Sequence, residues 1–286
     1  MKSPLQLNLF DSPEISELSR ANLGTFQESL RAPIHSWFTY PAGFSFRAVE
    51  EAIRLYKIRP GMTVYDPFAG TGTTNVVARQ QGIDSFGVEA HPFIHFVART
   101  KLFWNFDFAS LVKQVDELIA RIRLSVQSVN LPDIPVEEIF PELVQKCYTR
   151  EKLATLYLCR EAINNLSVSP FQDFAKLALT HLLRSAADVA TGWPYIAPQK
   201  AKKNSSNGEK NVVMLLRSRL YQMVNDLMIV RGEDRQIGQA EIILGDARQE
   251  QAEIPTGSIS LAFTSPPYLN NYDYADRTRL EMYFWG

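Results

Sequence analysis

Two short segments of the sequence hold most of its chemically informative residues. They are Asp66-Pro67-Phe68-Ala69-Gly70-Thr71-Gly72-Thr73-Thr74 and Thr264-Ser265-Pro266-Pro267-Tyr268. The first has two closely spaced glycines, which let the backbone approach a ligand and take positive φ angles. The second has a frame stiffened by two prolines and ends in an aromatic ring. Together they predict a site where a nucleoside-type cofactor faces a planar base that carries an amino group.

The glycine turn lies between a short apolar run, Thr63 to Phe68, and a helix predicted from Thr73 to Gln81. The free N–H groups at the start of such a helix, together with its dipole, face any ligand that lies over Gly70 and Gly72. A purely structural strand-to-helix turn explains two glycines about equally well. The turn alone therefore does not identify a cofactor site.

Two acidic residues strengthen the prediction because each ends a predicted strand. Glu89 follows the glycine turn at close to the roughly 20-residue spacing at which an acid accepts both hydroxyls of a ribose. The alternative for Glu89 is a solvated surface charge. Asp246 could accept a hydrogen bond from the amino group of an adenine ring, and a capping or turn-forming role is an equally good interpretation.

The second segment suits chemistry on an exocyclic amine, which is a poor nucleophile because its lone pair is delocalised into the ring. The Ser265 hydroxyl and the Pro266 carbonyl can accept hydrogen bonds from the two N–H groups and draw the nitrogen toward tetrahedral geometry. Pro267 stiffens the frame, and Tyr268 offers a flat face for a flipped base. The alternative is a proline-stiffened loop or a polyproline recognition segment.

Tight strand–helix–strand connections around the first segment predict a parallel α/β sheet. Ligands bind such sheets at the carboxyl ends of the strands. The strand patterns cover Thr63–Phe68, Ser85–Glu89, Glu241–Leu244 and Ile259–Phe263. We predict three parts: an N-terminal arm at 1–34, an α/β core at 35–105 plus 236–286, and a helical insertion at 106–235 that is a candidate DNA-recognition region.

The predicted insertion contains a polar segment, Pro198 to Lys210, that we expect to be a flexible loop. Between Lys200 and Arg219 the sequence has six basic side chains against Glu209 alone. Such a segment could follow the phosphates of a nucleic acid. A solvated loop followed by an ordinary helix face explains it slightly better.

The first segment resembles the S-adenosylmethionine motif of the amino-methylating DNA methyltransferases. The stretch from Phe38 to Ala48 is similar to the methionine-side motif that often precedes it in that family. The resemblance covers roughly residues 35–100 and 238–280. It implies a Rossmann-like methyltransferase sheet, S-adenosylmethionine as cofactor and DNA as substrate. The residues it assigns to the cofactor are Phe38, Asp66, Pro67, Phe68, Ala69, Gly70, Gly72, Thr73, Glu89 and Asp246, and those it assigns to catalysis are Ser265, Pro266, Pro267 and Tyr268.

Within that family, serine at the position of Ser265 is commoner among enzymes that modify cytosine N4, so we favour cytosine over adenine N6. An RNA base methyltransferase and a non-catalytic DNA-binding subunit remain alternatives. Dinucleotide-binding enzymes usually have a third glycine where this sequence has Asn75. Family members also usually have more strands than the four patterns found here. The sheet is therefore expected to be incomplete at its C-terminal end. Three explanations are open: the sequence is a fragment, a second polypeptide completes the sheet, or the sheet is abbreviated.

Composition limits the cellular setting. The 286 residues have a formal net charge of −1, so any attraction to nucleic acid must be local. The two cysteines, Cys147 and Cys159, have no metal-ligand or disulfide spacing, which is typical of a reducing cytoplasm. The sequence starts without a signal-peptide pattern and has no apolar run of the roughly 18 residues that span a membrane. A cytoplasmic protein without a metal centre is expected.

Overall fold

A computed structural model describes residues 28–40, 43–191, 197–201, 211–232, 236–267 and 276–286. The described strands are β1 (Thr63–Asp66), β2 (Asp84–Glu89), β3 (Val189–Ala190), β4 (Ala197–Ala201), β5 (Ala240–Leu244) and β6 (Leu261–Ala262). The described α-helices are α1 (Phe46–Leu55), α2 (Thr73–Gln80), α3 (Pro92–Leu102), α4 (Phe108–Ser128), α5 (Val136–Ile139), α6 (Glu142–Gln145), α7 (Arg150–Asn164), α8 (Pro170–Ala186), α9 (Val212–Arg231) and α10 (Arg279–Trp285).

The described residues form two compact units. One is drawn from Met1–Leu102 with Val230–Pro267, and the other from Phe103–Ile229 with Tyr268–Gly286. This grouping places α10 with the helical unit, whereas the sequence analysis assigned 236–286 to the α/β core. The three-part division of the chain remains a prediction.

The first unit is built on a sheet with the strand order β5-β2-β1-β6, in which every described pair is parallel. The chain passes from β1 to β2 on one side, and β6 later returns to the other side of β1. The strand order therefore reverses beside β1, and in such sheets a ligand crevice opens at the carboxyl ends of the strands at this point. The predicted Rossmann-like α/β fold class is confirmed.

Helices α1 and α2 cover one face of this sheet with apolar side chains. A buried cluster joins Val49 and Ile53 of α1, Val64 of β1 and Val77 of α2. Burying each such side chain is worth about 1.5–3 kcal/mol relative to leaving it exposed. This packing fixes the end of β1 against the start of α2, where the glycine turn lies.

The second unit is mainly helical, as its periodicity predicts, and α8 is its most buried long helix. The expectation of a flexible loop from Pro198 to Lys210 is wrong for residues 198–201, which belong to β4 (Ala197–Ala201). This strand pairs antiparallel with β3. The pairing depends on residues earlier in the chain, so local composition does not reveal it. Residues 202–210 lie outside the described part of the chain.

No helix in the described ranges is long and apolar enough to cross a membrane. Among the same residues, no group of three or more His, Cys, Asp or Glu side chains is placed to hold a metal ion. Both cysteines are free and buried. Burial raises the pKa of the Cys147 thiol to about 11 and that of Cys159 to about 12, which makes both unreactive.

Candidate functional site

The pairing of β1 with β6 brings the two informative segments to one edge of the sheet. Val64 pairs with Leu261 and Tyr65 with Ala262. The contact continues past the strand, where the Phe263 N–H donates to the Tyr65 carbonyl over 2.9 Å. Because the strands are parallel, the glycine turn and the Ser265 loop both leave the sheet at its carboxyl edge. Segments almost 200 positions apart in sequence therefore start side by side.

Asp66 ends β1 and is completely buried. Its carboxylate accepts hydrogen bonds from the Thr74 hydroxyl over 2.6 Å and from the Phe68 N–H over 3.1 Å. The side chain of Thr264 is its third partner. Burial raises the pKa of Asp66, and these three hydrogen bonds oppose the rise. The carboxylate thus connects the glycine turn, the start of α2 and the Ser265 loop.

The two glycines of the turn serve different purposes. Gly70 has φ 53°, and a Cβ atom added there would meet no atom within 4 Å. The space over Gly70 is therefore open to a ligand. Gly72, with φ 78°, directly precedes α2, and a Cβ there would lie 3.4 Å from Ala98 in α3. Gly72 allows close packing, whereas Gly70 leaves room at the edge of the sheet.

Glu89 ends β2 beside this open space. Its carboxylate accepts from the His91 N–H over 2.8 Å and from the backbone N–H groups of Gly70 and Ala90. Burial raises the pKa of Glu89, while these backbone donors lower it. The side chain remains partly exposed. The predicted ribose acceptor and the glycine turn are therefore direct neighbours.

His91 was given no role by its sequence pattern, although it lies next to this site. Its Nδ1 accepts from the Phe93 N–H over 3.2 Å at the start of α3, so the neutral ring carries its proton on Nε2. Burial lowers the pKa of His91, which favours this neutral form. The sequence signal that could have identified His91 is its position two residues after Glu89, the acid that ends β2.

Phe38 lies in the core of the first unit, together with the fully buried Trp37. Its ring packs edge to face against the Phe93 ring, with 5.6 Å between the ring centroids, and Phe93 in turn contacts His91. The resemblance assigns Phe38 to the cofactor, although an aromatic residue ahead of an amphipathic helix can equally belong to the core. The structure places it in the core, beside the start of α3.

Asp246 follows β5, which is joined to β2 at this edge by a hydrogen bond from the Gly245 N–H to the Glu89 carbonyl. Its carboxylate accepts from the Arg248 backbone N–H over 2.9 Å and from the Arg248 guanidinium. These contacts lower the pKa of Asp246 to about 2. Asp246 therefore has the turn-forming geometry that was one of its two interpretations. To contact adenine, the Asp246 carboxylate would have to give up a hydrogen bond from Arg248.

The Ser265 loop is described as far as Pro267. Phe263 is held by an edge-to-face contact with Phe44 at 5.5 Å. After it, Ser265 is partly buried, and the two prolines are exposed. The predicted base-stacking residue, Tyr268, lies outside the described residues.

One residue of the predicted phosphate-following segment does not face solvent. Arg219 is buried in the helical unit, where its guanidinium donates to Gln222 over 2.9 Å and contacts His181. Burial lowers its pKa to about 10. Of the two arginines of that segment, only Arg217 remains accessible at the surface.

Comparisons with known proteins give a matching family model and several similar curated proteins. Residues 5–99 match a family model, N6_N4_Mtase, described as a DNA methylase. The chain is 25% identical over 297 residues to the Type II methyltransferase M.BsoBI of Geobacillus stearothermophilus, covering 96% of this chain and 57% of that protein. It is 21% identical to the Type II methyltransferase M.AvaI of Nostoc sp., covering 99% of this chain and 60% of the relative. The chain thus spans less than two thirds of the length of these relatives. No solved structure matches it.

Proposed function

We propose that the chain is an amino-methylating DNA methyltransferase, the family to which its family match and its relatives point, and that it transfers a methyl group from S-adenosylmethionine to the exocyclic amine of a DNA base. The observation that carries this proposal is the pairing of β1 with β6, which sets the glycine turn beside the Ser265 loop. We propose cytosine N4 as the target in preference to adenine N6. The reason is that serine, at the position of Ser265, is commoner among family members that modify cytosine N4. Its relatives are Type II methyltransferases, and a restriction-modification setting follows by analogy.

The residues at this edge fit the cofactor. The open space over Gly70 admits a nucleoside, and the Glu89 carboxylate beside it can accept from the ribose hydroxyls. Asp66 and Glu89 make this edge acidic, which suits a sulfonium cation and would repel a pyrophosphate. When bound, S-adenosylmethionine supplies an electrophilic methyl group. The protein supplies its position and orientation.

At the other side of the site, the Ser265 hydroxyl and the Pro266 carbonyl accept hydrogen bonds from the two N–H groups of the base. The nitrogen becomes more tetrahedral and its lone pair more available. With the cofactor bound, this nitrogen would gain the methyl carbon as the bond between that carbon and the sulfonium sulfur breaks. The demethylated thioether would leave, and one N–H proton would pass to solvent. The fixed φ of Pro266 and Pro267 keeps these acceptors in place, so little reorganisation accompanies the reaction.

The test is methyl transfer from tritiated cofactor to duplex DNA and to RNA, with chromatography of the digested product. We expect label in N4-methylcytosine of DNA, and a loss of at least about tenfold with Ser265→Ala, as expected for removing a group that acts on the reacting atom. Label in N6-methyladenine would correct the target base, and label in RNA would correct the substrate. Binding of DNA without measurable affinity for S-adenosylmethionine would favour a non-catalytic subunit.

We also propose that a further polypeptide segment, either from a second polypeptide or from the same protein, completes the sheet. Among the described strands, β6 pairs with β1 alone, which leaves its outer edge available for a further strand. The chain alone should then bind the cofactor but transfer methyl groups slowly. Full activity should appear when that segment is supplied, either by the product of the adjacent gene or by a longer form of the same protein. Equal rates with and without that segment would contradict this proposal.

A further inference from the structure

Helix α9 presents an unusual surface in the helical unit. Its exposed and half-exposed side chains recur at helical spacing and form a single stripe, which we call the α9 stripe. The members of the stripe are Met214, Arg217, Ser218, Tyr221, Gln222, Asn225, Met228 and Ile229. The opposite side of the helix is buried through Leu216, Leu220, Met223 and Leu227.

The α9 stripe contains no carboxylate. The one acid of the helix, Asp226, is buried on the other side. Solvated helix faces usually mix acidic and basic residues, and exposed Lys113 and Glu117 on α4 form an ion pair of that kind. The stripe instead has amides, a hydroxyl and an arginine, which are the groups that hydrogen-bond to base edges. This composition suits a polyanion that offers both donors and acceptors.

Two arginines at the stripe are held in place by neighbouring side chains. The Arg217 guanidinium lies over the Tyr221 ring, 4.9 Å from its centroid. The Tyr221 hydroxyl donates to Asp116 on α4 over 2.6 Å, which fixes the ring and occupies a nearby carboxylate. Arg123 on α4 lies 3.5 Å from the Met214 sulfur. Two arginine side chains, Arg217 on α9 and Arg123 on α4, therefore have defined positions beside the N-terminal half of the stripe.

We propose that the α9 stripe enters the major groove of duplex DNA and reads its sequence, an inference that rests on the DNA substrate of the proposed function. Gln222 and Asn225 face base edges, while Arg217 and Arg123 contact phosphates. The groove, about 12 Å wide, accepts one α-helix. A helix of about 20 residues is roughly 30 Å long and follows the groove through several base pairs.

The first test is binding of the intact protein to a labelled duplex of mixed sequence, measured by fluorescence anisotropy at several salt concentrations. Ser218→Glu should abolish binding because it places a negative charge at the centre of the stripe. Arg217→Ala should weaken binding about tenfold and reduce the salt slope by about one. The matched controls are Ser167→Glu and Lys146→Ala, which change exposed residues elsewhere in the helical unit and should have little effect.

The second test selects bound duplexes from a random library. The Gln222→Ala/Asn225→Ala variant should relax the preferred sequence while it keeps most of the nonspecific affinity. Circular dichroism should show unchanged helix content, because Ser218, Gln222 and Asn225 are exposed and Arg217 is half-exposed. Urea unfolding checks the Gln222→Ala/Asn225→Ala variant separately, since Gln222 accepts a hydrogen bond from the buried Arg219. An unchanged preference in this variant would contradict base reading by the stripe.

Three further outcomes would overturn the inference. The first is no DNA binding by the intact protein, and the second is an equal loss of DNA affinity in Ser218→Glu and Ser167→Glu. The third is self-association through Met228 and Ile229 while the stripe variants keep their DNA affinity. Calorimetry of S-adenosylmethionine binding separates this inference from the proposed function. Ser218→Glu should bind the cofactor normally. An intact protein that binds DNA through the stripe but has no affinity for the cofactor would refute the proposed function and leave this inference standing.

Discussion

At the scale of single residues, the Asp66 carboxylate is the point where the two informative segments meet. Its sequence position suggests contact with the cofactor, but its oxygens are occupied by Thr74, Phe68 and Thr264. We therefore assign it to positioning. It holds the Ser265 loop at a fixed distance from the glycine turn, so a cofactor over one segment and a base at the other stay aligned.

Thr264→Val tests this role because it keeps the shape of the side chain and removes its donor. Losing this hydrogen bond should cost about 1 kcal/mol of unfolding free energy. The transfer rate at saturating substrates should fall while the cofactor dissociation constant stays the same. Thr264→Ser restores the hydroxyl and should restore the rate. If the valine and serine variants transferred methyl groups equally fast, Thr264 would have no positioning role.

At the scale of secondary-structure elements, the close approach of the glycine turn and α2 to β2 depends on Gly87. A Cβ atom there would lie 2.7 Å from Ile242, 2.9 Å from Ala69 and 2.9 Å from the Asn75 side chain. Gly87→Ala should destabilise the protein by about 1–3 kcal/mol, as overpacking of a core does. Urea unfolding measures this change. Ala262→Val, at an exposed position of β6, is the control and should be nearly neutral.

The elements next to the site were predictable because their signals are local. The helix predicted from Thr73 to Gln81 and the strand predicted from Glu241 to Leu244 each match the structure within a residue. The last strand is shorter than predicted, since only Leu261–Ala262 pairs. The β3–β4 pair and the partners of Asp66 were not predictable, because they depend on residues distant in sequence. Sequence patterns located the strand ends and the glycine turn of the candidate site, whereas the long-range contacts that bury Asp66 could be found only in the structure.

At the scale of the whole molecule, the net charge of −1 is too small to attract DNA, so the proposed DNA binding would depend on local surfaces such as the α9 stripe. The stability of the molecule should nevertheless respond to pH through its buried groups. His35 is almost completely buried and stacks on Phe46 at 5.1 Å. Burial, followed by the charge of Lys101, lowers the pKa of His35 from 6.5 to about 3.

The folded imidazole stays neutral where the unfolded one is protonated. Its contribution to stability is therefore complete above pH 6.5 and is lost as the pH falls toward 3, at about 1.4 kcal/mol per pH unit. Asp66 and Glu89 have raised pKa values and act in the opposite direction, so the comparison must be with a variant. His35→Phe preserves the ring stack and removes the titration. Between pH 7 and 5, wild type should lose about 2 kcal/mol more unfolding free energy than the variant. If the unfolding free energies of wild type and His35→Phe changed in parallel with pH, His35 would take up its proton equally in the folded and unfolded states.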